Sequence, residues 1–285
     1  MTDTASAQRI KEQQTRHWNA VAGGWAAWLA WTERNFLPVT ECVADRAGWA
    51  PGVRVLDIAC GAGYPALAAA VRVRPGGTVI ASDLAPEMTD VAAAAAAAAG
   101  ITNIEFRTLD AEQLEIDDVS VDSVTNVYGL MFCPDPLRAV REAYRVLRPG
   151  GRIAVVTWDE PSKSSFFNVI TPVAAKHLSL TAPAPGAPGP FRFSSPAELD
   201  SLMRTAGFED VRVESRSMPL ECDSADQYCQ IFADVAWKLR IDALDARQLE
   251  AFREDVRRAV DPFVDNGRLR LVAASLCSSG LKALG

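Results

Sequence analysis

The sequence of 285 residues lacks the features that mark several classes of protein. No stretch of about 18 apolar residues is free of charges and helix breakers, so no membrane-spanning helix is expected. The first residues are polar and contain no apolar core of a signal peptide, which predicts a cytoplasmic protein. The formal net charge is −7. Proteins that bind nucleic acids usually present a clustered basic surface, so this balance disfavours a nucleic-acid partner.

Histidine and closely spaced cysteine are also scarce. The only histidines are His17 and His177, and a single histidine is more often structural than catalytic. Both are therefore weak catalytic candidates. The six cysteines contain no C-x-x-C pair, which favours reduced, mostly buried thiols and no metal site. Chemistry on arsenic or a metal through several thiolates would need cysteines that converge in space, which spacing alone does not show. The cysteines are Cys42, Cys60, Cys133, Cys222, Cys229 and Cys277.

Five short segments rich in valine and isoleucine alternate with helix-forming stretches in the first half of the chain. These segments are VRVLDIA (53–59), GTVIASD (77–83), NIEFRTL (103–109), SVDSVTNVY (120–128) and GRIAVVTW (151–158). Strands that alternate with helices are typical of a parallel sheet covered on both faces. The pattern therefore predicts a doubly wound, Rossmann-like α/β fold.

The segments outside this core predict a cover over it. Residues 9–32 indicate one or two helices with Trp25, Trp28 and Trp31 at three-residue spacing. They would form either a face packed on the core or an aromatic lid. The proline-rich residues 181–193 suit a loop over a cleft. We expect a helical lid (1–50), a cofactor-binding core (51–158), and a third part (159–285) with substrate-cover insertions at 159–195 and 222–262.

The most specific local signal is VLDIACGAGYPAL, residues 55–67. A strand containing Asp57 leads into Gly61 and Gly63, and a helix follows. Glycines at such a turn let a ligand approach the backbone closely, and the N-terminus of a helix favours a negative group. The same spacing also fits a dinucleotide-binding loop, so the glycines alone do not identify the cofactor.

Acidic residues lie at the ends of three successive strands. Asp57 precedes the glycines, Asp83 ends the second strand and Asp110 follows the third. Facing one crevice, they would repel a pyrophosphate and attract a sulfonium that carries an α-amino group. The carboxylate of Asp83 could also accept hydrogen bonds from ribose hydroxyls.

Together these motifs resemble the class I S-adenosylmethionine-dependent methyltransferases, and within them the small-molecule branch of ubiquinone- and menaquinone-type enzymes. The resemblance covers residues 16–158. It implies a seven-stranded, mostly parallel sheet whose last strand is antiparallel. It also implies transfer of a methyl group from S-adenosylmethionine to a small, apolar or aromatic molecule, at carbon or oxygen. The motifs are VLDIACGAG, ASDLAPEM, LDAEQL, SVDSVTNVYGLMF and REAYRVLRPGGRIAVVTW.

The resemblance also implies which residues contact the cofactor. They comprise a covering aromatic (Trp25), the methionine-binding loop (Asp57, Ala59, Gly61, Gly63), the ribose-binding acid (Asp83), the adenine contacts (Leu84, Met88, Asp110, Ala111) and a residue beside the sulfonium (Asn126).

The chain departs from the family after the fourth strand. Some relatives carry a histidine there, where this chain has residues 129–133, GLMFC. No inherited acid–base residue is left, so Asp159, after the fifth strand, is a third weak catalytic candidate. Two other classes stay open. An NAD-dependent oxidoreductase is disfavoured by Asp57 and Asp110, and a non-catalytic methyltransferase-like binding protein is disfavoured by the intact glycine loop.

Overall fold

The computed structural model describes residues 4–180, 184 and 186–284, so part of the proline-rich segment lies outside the described residues. Its sheet has the strand order β3-β2-β1-β4-β5-β8-β6, and a two-residue strand, β7, pairs only with β8. Strand β8 is antiparallel to both of its long neighbours, and the other long strands are parallel. The predicted seven-stranded sheet with an antiparallel last strand is confirmed. The strands are β1 (Arg54–Ile58), β2 (Thr78–Asp83), β3 (Ile104–Thr108), β4 (Val121–Val127), β5 (Leu147–Trp158), β6 (Glu209–Cys222), β7 (Val264–Asp265) and β8 (Arg268–Leu281).

Helices connect the strands and cover both faces of the sheet. None of those among the described residues is both long and apolar enough to cross a membrane. They are α1 (Thr4–Ala27), α2 (Leu29–Asn35), α3 (Leu37–Ala47), α4 (Ala66–Arg72), α5 (Pro86–Ala98), α6 (Pro136–Val146), α7 (Ser165–Asn168), α8 (Ile170–Leu178), α9 (Pro196–Thr205), α10 (Ala225–Val235), α11 (Lys238–Ile241) and α12 (Ala246–Val260).

The core lies in two layers because successive strand residues point to opposite faces of the sheet. Val55 belongs to the cluster that also contains residues of α3, α4, α8, α10 and α12. Its neighbour Leu56 belongs to the cluster on the other face, with residues of α6 and α9. Both side chains are fully buried. A strand buried on both faces reads as a continuous apolar run, and this explains the valine- and isoleucine-rich segments.

The three N-terminal tryptophans do not form a common face. Helix α1 ends at Ala27 and α2 starts at Leu29, so the helix is interrupted at Trp28. Trp25 packs beside Met88, whereas the indole of Trp28 donates to Asp234 Oδ2 at 2.9 Å. The indole of Trp31 donates to the carbonyl of Glu221 at 2.8 Å. The three tryptophans therefore do not share one packing face, because the helix is interrupted between Trp25 and Trp31.

The segment 222–262 contributes to the core as well as to the surface. It contains the helices α10, α11 and α12. Tyr228 and Phe252 are fully buried in the cluster that covers one face of the sheet. These helices therefore complete a layer of the fold. That 159–195 and 222–262 also cover a substrate stays a prediction.

Candidate active site

The loop after β1 has the backbone conformation that the glycine pattern predicts. Ala59, Gly61 and Gly63 have φ angles of +59°, +52° and +108°. A side chain at Gly63 would meet Leu67 at 3.1 Å, so that glycine allows α4 to pack closely. Apart from Gly61 itself and its two chain neighbours, no atom of the described residues lies within 4 Å of the position that a Cβ of Gly61 would take. Gly61 therefore exposes backbone that a ligand can approach.

Asp57 is a buried carboxylate with one unsatisfied oxygen. Its Oδ1 accepts a hydrogen bond from Thr125 Oγ1 at 2.5 Å, and among the described residues its Oδ2 has no donor. Burial raises the pKa of Asp57 to about 7, and the neighbouring Asp83 contributes in the same direction. A buried polar atom without a partner is costly. Asp57 therefore suits a ligand that brings a cationic donor, as the α-amino group of S-adenosylmethionine would.

Asp83 joins the glycine loop to the end of β2. Its Oδ2 accepts from the backbone N–H of Gly61 at 3.0 Å, and its Oδ1 accepts from that of Ala85 at 2.9 Å. Burial raises its pKa, and these backbone donors oppose the rise. A carboxylate offers about four acceptor positions. Two are used here, which leaves capacity for the hydroxyls of a ribose.

Asn126 and Asp110 occupy the ends of the next two strands. Asn126 Nδ2 donates to the carbonyl of Ile58 at 3.1 Å, and its Oδ1 accepts from the N–H of Leu130 at 2.7 Å. It therefore ties the loop after β4 to the end of β1. Asp110 follows β3, and its Oδ2 lies 2.6 Å from Lys11 Nζ. The same ammonium lies 2.6 Å from a carboxylate oxygen of Glu112.

Helix α1 lies across the carboxyl ends of β2, β3 and β4. Lys11 reaches the acids after β3, and Trp18 packs edge-on against Phe132, with ring centroids 5.0 Å apart. Trp25 packs against a small cluster that includes Met88, and its indole N–H is buried without an acceptor among the described residues. Its role as the covering aromatic stays a prediction.

Among the remaining adenine candidates, Met88 packs against α1, in a cluster with Val21 and Ala22. Leu84 is half-buried and Met88 is 2% exposed. Ala111 is half-buried on the edge of the core cluster that contains Leu130. These positions agree with an apolar contact region next to Asp83, and their role as adenine contacts stays a prediction.

A cluster of aromatic rings, which sequence reasoning did not single out, lies beyond β4 and β5. Tyr128 directly follows β4 with a φ of +60°, an uncommon conformation for a bulky residue. Its ring stacks on Trp158 at 4.0 Å, and Phe36 lies edge-on to both. The Tyr128 hydroxyl is 2.7 Å from Ser275 Oγ. Phe167 lies edge-on to Trp158, with ring centroids 4.7 Å apart. We call Phe36, Tyr128, Trp158 and Phe167 the aromatic cluster. In the sequence, the positions of Tyr128 and Trp158 at the ends of predicted strands could have indicated this cluster.

The three catalytic candidates lie in different surroundings. His17 is on α1, packed against Trp18, and burial lowers its pKa. The ring of His177 lies 2.8 Å from Asp255 and packs against Phe252, which places it between α8 and α12.

Asp159 is completely buried and already satisfied. It accepts hydrogen bonds from Lys163, from Ser215 and from the N–H of Glu160. Burial acts to raise its pKa, but these donors hold the pKa below its ordinary value. The structure therefore gives Asp159 a set of structural partners.

The cysteines do not gather into a thiolate cluster in the described part of the chain. All six are free and five are buried. No group of three or more cysteine, histidine or acidic side chains that could hold a metal occurs among the described residues. The described residues therefore give no support to chemistry on arsenic or a metal through several thiolates.

Residues 34–175 match the ubiE/COQ5 methyltransferase family. The nocamycin O-methyltransferase of Saccharothrix syringae is 34% identical over 206 residues, which span 67% of this chain and 71% of that enzyme. The demethylmenaquinone methyltransferase of Geobacillus kaustophilus is 31% identical over 190 residues, 64% of this chain and 81% of that one. The chain belongs to the ubiE/COQ5 methyltransferase family. The resemblance to class I S-adenosylmethionine-dependent methyltransferases, and with it the cofactor, is confirmed.

Solved structures agree on the fold. The YcgJ protein of Bacillus subtilis superposes with a TM-score of 0.56 at 24% identity, covering 87% of this chain and all of that protein. Mycobacterial relatives that are 40% identical over 126 residues match 44% of this chain, and the chain spans 44% of their length. The activity of the whole chain therefore stays a proposal.

Proposed function

We propose that this protein transfers the methyl group of S-adenosylmethionine to a carbon or oxygen atom of a small, apolar or aromatic molecule. One observation carries the proposal beyond family membership. The buried Oδ2 of Asp57 has no donor among the described residues, at the end of β1 beside a loop with open backbone at Gly61. When bound, S-adenosylmethionine supplies an electrophilic methyl group on a positively charged sulfur. Its ammonium group is the kind of donor that Asp57 lacks.

Each residue of the site would then have a separate task. Asp57 would hold the ammonium, Asp83 would accept from the ribose hydroxyls, and Gly61 would give the close backbone approach. Asn126 would fix the loop after β4, so that the acceptor side and the cofactor side of the site keep their relative positions. Trp25, with Met88 and Leu84, would exclude water from the adenine end.

The aromatic cluster supports an apolar or aromatic acceptor. It lies at the carboxyl ends of β4 and β5. In the sheet, β1 separates these strands from β2, which carries Asp83. In open α/β sheets, ligands bind in the crevice outside the carboxyl ends of the strands. Tyr128 already stacks on Trp158, so the half-buried rings of Tyr128, Trp158 and Phe167 would offer apolar surface to such an acceptor. Two relatives are named for nocamycin and demethylmenaquinone, and these names support a small molecule rather than a polymer.

Alignment would supply much of the rate. Positive charge on the sulfur disappears as the methyl group leaves, so an apolar pocket does not oppose the reaction. Correct placement of two reactants can lower the barrier by about 7–11 kcal/mol. His17 lies on α1, which crosses the strand ends, and burial lowers its pKa. It would accept a proton from an acceptor hydroxyl, whereas His177 is held by Asp255.

The proposal is tested in two steps. Calorimetry first measures binding of S-adenosylmethionine and S-adenosylhomocysteine to the full chain, with NAD as a comparison ligand. Mass spectrometry then detects methylated products from a panel of phenols, quinols and carbon acids. Binding together with a mass gain of one methyl group supports the proposal. Binding without product on the whole panel supports a non-catalytic binding protein, and absence of binding contradicts the cofactor assignment.

A further inference from the structure

A cavity of about 410 Å³ lies at the end of the sheet opposite the glycine loop. It is formed where α3 crosses β5, β8 and the edge strand β6. Arg152 pairs with Leu281 at this end of the sheet, whereas Trp158 pairs with Ser275 at the other end. Trp158 lies six positions along β5 from Arg152, a distance of about 20 Å in an extended strand. Arg216 pairs with Ser275, at the level of Trp158, but it lies on β6, two strands away from Trp158. The part of the cavity at Arg152 is therefore separate from the glycine loop.

Four arginines from three elements converge on this cavity: Arg46 from α3, Arg152 from β5, and Arg212 and Arg216 from β6. Two of them share a single acceptor, because Arg46 and Arg216 both contact Glu214 Oε2, at 2.6 and 3.1 Å. Sharing one carboxylate between two guanidinium groups leaves several of their N–H donors unused.

The other arginines add to this excess of donors. Among the described residues, Arg212 is paired only with its near neighbour Asp210, at 3.3 Å. Arg152 has no side-chain hydrogen bond or ion pair with the described residues. The Ser279 hydroxyl, 3.2 Å from Arg46 Nη1, adds a further polar group to the wall. Asp45 and Asp210 also line the cavity, so four arginines face two carboxylates there, in a chain whose net charge is −7.

A thiol in the cavity wall responds to the same positive charges. Cys42 lines the cavity. A hydrogen bond from Cys277, together with the charges of Arg216 and Arg46, holds the pKa of the Cys42 thiol below its ordinary value despite burial. The guanidinium groups act in the same direction as that hydrogen bond, which is the largest cause.

We propose that this cavity binds a small oxyanion, the phosphate or carboxylate group of a metabolite-sized molecule. A guanidinium group presents paired N–H donors that match the oxygens of either group. The volume lies within the range of about 300–1,000 Å³ typical of small-molecule sites. Arg152 and Arg212 would supply the donors that the fold itself leaves available, and Arg46 would be a positioning residue held by Glu214.

The test uses the full chain and two probes, inorganic phosphate and succinate, each titrated by calorimetry at constant ionic strength. The double variant Arg152→Gln/Arg212→Gln removes donors from the cavity without breaking the Arg46–Glu214 pair. Arg138→Gln is the matched control, because Arg138 is an exposed arginine on α6 without a side-chain partner among the described residues. The double variant should bind the preferred probe about tenfold more weakly or worse. The control should bind as the parent does.

Each outcome is decisive. Tighter binding of phosphate would identify a phosphorylated ligand, and tighter binding of succinate a carboxylate, provided that the cavity variant loses it. Equal affinities of parent and double variant, or no heat with either probe at millimolar concentration, would overturn the site. Affinity for S-adenosylhomocysteine should be the same in all three proteins. Failure at this cavity is therefore distinguishable from failure of the proposed methyltransferase function.

Discussion

The state of Asp57 makes the affinity for the cofactor depend on pH. Burial raises the pKa of this carboxyl to about 7, so it is largely neutral at pH 6 and largely ionised at pH 8. A cationic ammonium binds to the ionised form. We therefore expect the association constant for S-adenosylmethionine to rise with pH, because binding of the cation must release the proton from Asp57.

The size of the effect follows from the ionised fraction. For a group with a pKa of about 7, that fraction rises about tenfold between pH 6 and pH 8, so the association constant should rise by the same factor. Asp57→Asn keeps the shape of the side chain and removes the charge. Loss of a charge-assisted hydrogen bond costs about 1.5–3 kcal/mol, which corresponds to a 10- to 100-fold weaker complex at pH 8.

Titration calorimetry across this pH range provides the assay. The ratio of association constants between the parent and Asp57→Asn removes any titration of the cofactor itself. Thr125→Val gives an independent check of the assignment. Its hydroxyl donates to Asp57 Oδ1 and lowers the pKa of that carboxyl. Removing it should therefore move the midpoint of the pH profile upward.

The stability of the ligand-free protein should show the same titration. An ordinary Asp in an unfolded chain releases its proton near pH 4, whereas folded Asp57 retains its proton until about pH 7. The contribution to the free energy of unfolding is fully present below about pH 4 and is lost as the pH rises through 7. Asp57→Asn should abolish that slope. An unchanged pH profile of cofactor affinity in both variants would refute the reasoning, because another group would then control the titration.

Four other changes test the rest of the site. Gly61→Val should abolish cofactor binding in calorimetry while thermal melts show a modest loss of stability, since its φ of +52° strains a branched residue; normal binding would place the cofactor elsewhere. Asp83→Ala should weaken binding by about 1.5–3 kcal/mol and also loosen the loop that it holds through Gly61; an unchanged affinity would leave it a purely structural acid. Lys11→Ala removes the ion pairs with Asp110 and Glu112, so stopped-flow fluorescence should show several-fold faster cofactor association; an unchanged rate would mean that α1 does not limit entry. Asp159→Asn should lower the free energy of unfolding by about 1–3 kcal/mol. The parent should lose this stability in acid, as the pH falls through the lowered pKa of Asp159. A loss of turnover without a loss of stability would contradict the structural role of Asp159.

The sequence by itself determined the sheet and the loop after β1. Alternation of apolar strands and helices depends on local periodicity, so the five parallel strands appear where their segments predicted. The glycine positions were equally local, because a left-handed turn needs residues such as Gly61 and Gly63 whatever packs around it. Helix ends were less predictable. The break at Trp28 depends on which partners each tryptophan reaches, and spacing does not contain that information.

The completion of the site depends on contacts between segments that are distant in the chain. Lys11 meets Asp110 across 99 positions of the chain, and Tyr128 meets Ser275 across 147. The motif around Asp57 could not predict that one of its oxygens lacks a hydrogen-bond donor, because the available donors depend on every atom that the fold brings near it. The same holds for the arginines of the cavity at the other end of the sheet. Local sequence fixes backbone conformation and the alternation of buried positions, whereas burial, pairing and charge surplus arise only when distant segments are packed together.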